Sequence, residues 1–161
     1  NVPMFYVYDY HGTDVSAAKN TYNYSNYGVL YNWHAAMYVT DAGLVSICPD
    51  GWHLPNNAEW NILTSFLGGN DVAGDKLKQA GNLHWHHPNT GTNESRFTAL
   101  PGGTVFNKQF MHIGVIGYWW TSCGQNIDRA WNRNMYRNSS YVNELISDKS
   151  EAMSVRCVRS Q

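Results

Sequence analysis

Asn56-Asn57-Ala58-Glu59-Trp60-Asn61-Ile62-Leu63-Thr64-Ser65-Phe66-Leu67-Gly68-Gly69 carries both ends of a helix in its own residues. Asn56 followed three positions later by Glu59 is a capping-box pattern, in which each side chain accepts the other's unpaired backbone N–H. Trp60, Ile62, Leu63, Phe66 and Leu67 supply an apolar face. Gly68-Gly69 ends it, because glycine takes the left-handed conformation that closes a helix without steric cost. The expected helix stops near Leu67.

Two more helices are expected around this one. Upstream, Val29, Leu30, Trp33, Ala36 and Met37 follow the i, i+3, i+4, i+7 rule, predicting a first helix over 27–37. Downstream, Ala73, Leu77 and Ala80 share one face, predicting a third over 72–80 with Gly81 behind it. After Gly81 the period changes. His84 to Asn93 has turn chemistry, and Phe97 to Gly103 reads as a strand entering a sharp turn. Strands are expected over 117–122, 130–136 and 154–160, and residues 1–26, aromatic and polar without a helical period, read as an extended, partly strand-forming lead-in. Helices first and antiparallel strands after them imply an α+β fold, with two or three helices packed on short strands with long loops.

At 161 residues, one domain over 1–161 is expected. Charged residues make up 14% of the chain and the net charge is −1, which argues against a nucleic-acid partner. No run has the roughly 20 apolar residues of a membrane-spanning helix, so no membrane insertion by this segment is expected. The opening Asn1-Val2-Pro3 reads as the start of a processed or excised piece. The three cysteines, Cys48, Cys123 and Cys157, allow one disulfide with one thiol over, or three reduced buried thiols.

Tyr27 to Trp33, Cys48-Pro49-Asp50-Gly51-Trp52-His53-Leu54-Pro55, Glu59-Trp60, Ala99 to Gly103, Tyr118-Trp119-Trp120-Thr121-Ser122 and Ser154-Val155-Arg156-Cys157-Val158-Arg159, in that order, resemble the Fibrobacter succinogenes major paralogous domain, from about residue 27 to the C-terminus. That family is similar to the formylglycine-generating-enzyme branch of C-type-lectin-like folds, and its members are mostly surface or secreted bacterial proteins. The resemblance implies a C-type-lectin-like fold and a Cys48–Cys157 disulfide, because the first helical region and the last strand are neighbours in such folds. It implies a secreted or cell-surface location, with a phage virion tail as the alternative.

The catalytic and metal signals are thin. A formylglycine-generating enzyme needs two reactive cysteines, and pairing Cys48 with Cys157 leaves Cys123 alone. His84, His86 and His87 lie close together in a loop but lack the spacing of a zinc site, and His53 reads as a supporting histidine rather than a ligand. Trp131-Asn132-Arg133 puts a cation where a calcium-binding lectin has an acid. No catalytic residue, metal or cofactor is expected.

Binding residues are expected in the C-terminal segment, where Asn126, Asp128, Asn132, Asn134, Tyr136, Asn138, Tyr141, Asn143 and Asp148 match the make-up of an antibody paratope. Alternation puts Asn132, Asn134 and Tyr136 on one face of a strand and Trp131, Arg133 and Met135 on the other. The segment also resembles, in place and in asparagine content, the region that diversity-generating retroelements randomise in some lectin-like proteins. The expected function is a non-enzymatic ligand-binding or adhesion domain, with a protein or glycan on a host or neighbouring cell surface as partner. Two readings stand beside it: a structural or pilus-like surface domain without a dedicated ligand, and a degenerate formylglycine-generating-enzyme-like protein.

Overall fold

The computed structural model describes residues 2–40, 43–44 and 47–160. The chain opens with β1 (Phe5–Tyr6), α1 (Val15–Lys19), α2 (Tyr22–Tyr27), β2 (Leu30–Asn32) and α3 (Trp33–Ala36). A short hairpin follows, β3 (Val39–Thr40) and β4 (Gly43–Leu44), then β5 (Trp52–His53), α4 (Asn57–Phe66) and α5 (Asn70–Leu77). The second half is almost all strand: β6 (Thr104–Phe106), β7 (Gln109–Met111), β8 (Ile116–Gly124), β9 (Arg129–Tyr136), β10 (Val142–Asp148), β11 (Ala152–Met153) and β12 (Val158–Arg159). Short helices and mostly antiparallel strands make this an α+β arrangement.

Helix α4 starts and stops where its sequence says. The Asn56 side chain accepts the Glu59 N–H, and Glu59 accepts the Asn56 N–H, both at 2.9 Å. Four expectations change. Residues 27–37 are not one helix but β2 running into α3, with Asn32 as the break: its Oδ1 accepts the Ala35 N–H that caps α3 and the Met4 N–H from the first strand's approach. The lead-in is not merely extended, because α1 and α2 form within it, capped by Asp14 and Thr21. Helices of five and six residues are too short to show a 3.6-residue period. The expected terminal strand contracts to β12, and residues 97–103 contribute only isolated bridges, Ala99 to Lys78 and Gly103 to Gly117.

Strands β10-β9-β8 form one sheet, β1-β2-β11-β6-β7 a second, and β12-β5 and β3-β4 two small ribbons. The first sheet has apolar material on both faces. Adjacent Trp119 and Trp120 are both buried but belong to different clusters, as successive side chains of a strand must. Trp119, Met135 and Val142 pack with Trp60, Ala73 and Leu77 of the helices, while Trp120 and Ala130 pack with Ala36, Cys48, Leu54 and Met153. Cys48 and Cys157 form the disulfide, with a Cα–Cα distance of 5.7 Å across a sequence separation of 109.

Two buried ammonium groups fix the loops at the ends of the β9–β10 hairpin. Lys78 Nζ donates to the carbonyls of Tyr136, Arg137 and Ser139 at 2.8–3.1 Å and to Thr90 Oγ1, and pairs with Asp75 at 3.1 Å. Burial pulls this lysine below its ordinary range, against the opposing pull of Asp75. Lys149 Nζ lies 4.3 Å from the Trp33 ring centroid and donates to the carbonyls of Asn126 and Ile127. Gly74 completes the first clamp: its N–H donates to Ser140 O at 2.7 Å, and a Cβ there would lie 2.6 Å from that oxygen.

Two outcomes follow from these constraints. Replacing both Cys48 and Cys157 by Ala frees a loop of 109 residues in the unfolded chain and lowers stability by about 4–5 kcal/mol on the chain-entropy account, read by urea denaturation. Lys78→Met strands three carbonyls and a carboxylate, lowers stability by about 3 kcal/mol, and makes the 137–141 loop protease-sensitive at native temperature.

Candidate functional site

The nine residues expected to bind do not form one patch. Asn132 and Asn134 are 0% exposed. Asn132 Nδ2 donates to Leu145 O and Ser147 Oγ at 3.2 Å, and Asn134 Oδ1 accepts from Asn143 Nδ2 at 3.0 Å, so these amides knit β9 to β10 from inside. Alternation sorts β9 correctly, but between two interiors rather than between interior and water. Partial burial raises both the Tyr118 hydroxyl and the Glu151 carboxyl above their ordinary ranges.

The remaining seven divide between the ends of the hairpin. Tyr136 (40% exposed), Tyr141 (41%), exposed Asn138 and half-buried Asn143 lie at one end. Asn126, Asp128 and Asp148 lie at the other, where Asn126 Oδ1 accepts the N–H groups of Asp128 and Arg129, and Asp148 pairs with Arg129 at 3.2 Å. The register from Arg129↔Asp148 to Met135↔Val142 separates the groups by about 20 Å at strand rise.

The metal readings meet occupied atoms. His84 uses both ring nitrogens, on Gln79 Oε1 at 2.7 Å and Asn26 Oδ1 at 3.0 Å. The guanidinium of buried Arg133 already sits among the oxygens of Glu144 (2.9 Å), Asn61 (3.2 Å) and Asn57 (3.3 Å). Cys123 is a half-buried free thiol whose sulfur accepts the Asn57 N–H.

A cleft of about 860 Å³ lies elsewhere, between α4 and the C-terminal segment. Helix α4 carries two apolar stripes. Trp60, Thr64 and Leu67 go into the core, whereas Ile62 (69% exposed) and Phe66 (85%) face the cleft with Leu63 and Glu59. The opposite wall is held by β5–β12, which pairs Trp52 with Arg159 and His53 with Val158. Trp52 is 44% exposed. Phe97 forms the floor, packed on Trp60 at 5.9 Å and Trp119 at 6.4 Å, and the Arg156 guanidinium lies over it at 4.4 Å while donating to Phe97 O at 2.8 Å. Trp60 Nε1 is sealed from solvent and has no hydrogen-bond partner among the described residues.

His53 ties three elements together at the rim, bonding Glu59 Oε1 at 2.7 Å through Nε2 and Ser160 Oγ at 2.9 Å through Nδ1. Serine, histidine and glutamate in line have the outline of a nucleophilic triad, but the Ser160 N–H already donates to Gly51 O at 2.8 Å and does not serve an oxyanion. The same atoms account for a structural tie. Partial burial pushes the Glu59 carboxyl up, yet the Asn56 N–H and the His53 ring pull it further down, for a net shift below the ordinary glutamate value.

Sequence reasoning missed this cleft because it counted Ile62 and Phe66 into the core face. The available signal was width: Trp60, Ile62, Leu63, Phe66 and Leu67 cover more of the helix than one buried stripe needs.

A family model, the Fibrobacter succinogenes major domain, matches residues 3–159. The match takes in the first strand and the two short helices, so the likeness reaches well upstream of residue 27. No curated protein and no solved structure matches the chain.

The Glu59 shift has a sign that can be tested. A depressed carboxylate contributes stability fully above its unfolded value of about 4.3, and that contribution is lost as pH falls through the lower folded value. Urea midpoints measured from pH 6 down to pH 3 fall less steeply for Glu59→Gln than for the unaltered chain, and the two curves approach each other at the acid end.

Proposed function

The chain belongs to the Fibrobacter succinogenes major domain family, and from that premise we propose that it is a non-enzymatic ligand-binding or adhesion domain of the cell surface or of a secreted protein, or of a phage tail, which holds its partner in the cleft between α4 and the C-terminal segment. The observation that carries the reading is the exposure of Ile62, Phe66 and Trp52 around one concavity. A large apolar side chain left 85% exposed on a well-capped helix gains nothing for the fold, whereas a contiguous apolar surface rimmed by polar groups is the ordinary signature of a binding face.

Other features support the setting. A disulfide suits an oxidising compartment, and no helix among the described residues is long and apolar enough to cross a membrane. The C-type-lectin-like fold is favoured by the way late strands return to early ones, β11 beside β2 and β12 beside β5, with Cys48–Cys157 across the second pair. Binding rather than chemistry is favoured because the acid and the base of the cleft, Glu59 and His53, are committed to structural bonds. Sequence diversification, if the gene carries it, acts on the exposed Tyr136, Asn138 and Tyr141 and not on buried Asn132 and Asn134.

The test is binding of the purified domain to an array of host-surface proteins and glycans. Trp52→Ala and Phe66→Ala weaken the signal at least about tenfold, roughly the loss of a buried aromatic anchor, while Tyr136→Ala and Tyr141→Ala leave it near its starting level. Loss confined to the tyrosine variants returns the site to the hairpin, and an array without any binder favours a structural surface domain.

A further inference from the structure

Resting on the cleft as the binding face, we infer that its occupant is a protein segment that sets a large apolar side chain between Trp52, Ile62 and Phe66 and places a carboxylate against Arg156 and Arg159. The charges of the cleft are one-sided. Four charged or titratable side chains line it: His53, Glu59, Arg156 and Arg159. The single carboxylate is used up, since Glu59 Oε1 is bonded to His53 and Oε2 accepts the Asn56 N–H. Both arginines remain for a ligand, so the field presented outward is positive.

Arg156 is also held ready. Its guanidinium is stacked on Phe97 at 4.4 Å and anchored by one bond to Phe97 O, and a guanidinium has five N–H donors in a fixed plane. A cation fixed in advance loses little side-chain freedom when it takes up a carboxylate.

The same features argue against a glycan. Sugars need many paired hydrogen bonds along with one stacking platform, and this cleft is lined mostly by apolar side chains, with Trp52, Ile62 and Phe66 exposed and few unused polar groups. An apolar side chain with a neighbouring acid on a peptide matches both halves of the surface.

The experiment selects a random dodecapeptide display library on the immobilised full chain, then measures one enriched peptide in solution. Expected are sequences that combine Leu, Phe or Trp with Asp or Glu, binding that weakens at high salt, and a loss of at least about tenfold for Arg159→Glu, an exposed position where the change leaves folding intact. Arg156→Lys, which keeps the charge but not the planar fork, gives a smaller loss. Enrichment of basic or uncharged peptides, unchanged affinity for Arg159→Glu, or displacement of the peptide by sodium oleate as the tighter ligand overturns the inference while leaving the cleft a binding face. Selected peptides whose binding survives Phe66→Ala overturn the cleft itself.

Discussion

The C-terminal segment is tied back onto residues 48–53, and the cleft exists because of it. The Cys48–Cys157 bond joins positions 109 residues apart, and the two-residue ribbon β5–β12 lies just beyond it, pairing His53 with Val158. A pair of two-residue strands has too few hydrogen bonds to persist alone. The covalent link leaves only a short loop to close when the two strands pair, and the His53 bonds to Glu59 and Ser160 extend the tie to the start of α4. Without it, Ile62 and Phe66 would be apolar residues on an open helix, and Arg156 and Arg159 would have no wall to stand in.

The same half of the molecule explains why the polar C-terminal segment is not the surface it resembles. Strand β9 is central to a sheet with apolar clusters on both sides, so its polar residues have to be satisfied indoors. Asn132 and Asn134 do this in part, through Asn132 Nδ2 and Asn134 Oδ1 hydrogen bonds across the β9–β10 pair, while Asn132 Oδ1 and Asn134 Nδ2 have no partner among the described residues; Arg133 bonds Asn57, Asn61 and Glu144. Lys78 and Lys149 do the equivalent for the loop carbonyls at either end. Such networks specify one register as strongly as apolar packing does, since a slip of one residue would leave several buried charges unpaired.

Local chemistry was legible in the sequence, and two-body burial was not. The Asn56–Glu59 box, the Gly68-Gly69 stop and strands β8 and β9 could be read because each is written in adjacent residues. The Cys48–Cys157 pair came through family resemblance, where spacing alone left several pairings open. Asn32 broke the expected first helix by accepting from Met4, a contact that no window around residue 32 contains. The burial of Asn132 and Asn134 escaped for a related reason: alternation says which side chains share a face of β9, but nothing in that strand says that Met153 and Trp120 cover one face and the helices the other. Phe66 shows the converse, an apolar residue at core-like spacing that the fold leaves outside.

The most direct measurement is amide hydrogen exchange of the domain with and without its bound partner. The cleft account predicts added protection in residues 52–53, 62–66 and 156–160, with the 136–141 loop unchanged. Protection confined to 136–141 and 126–129, with the α4 face exchanging as in the free protein, contradicts it.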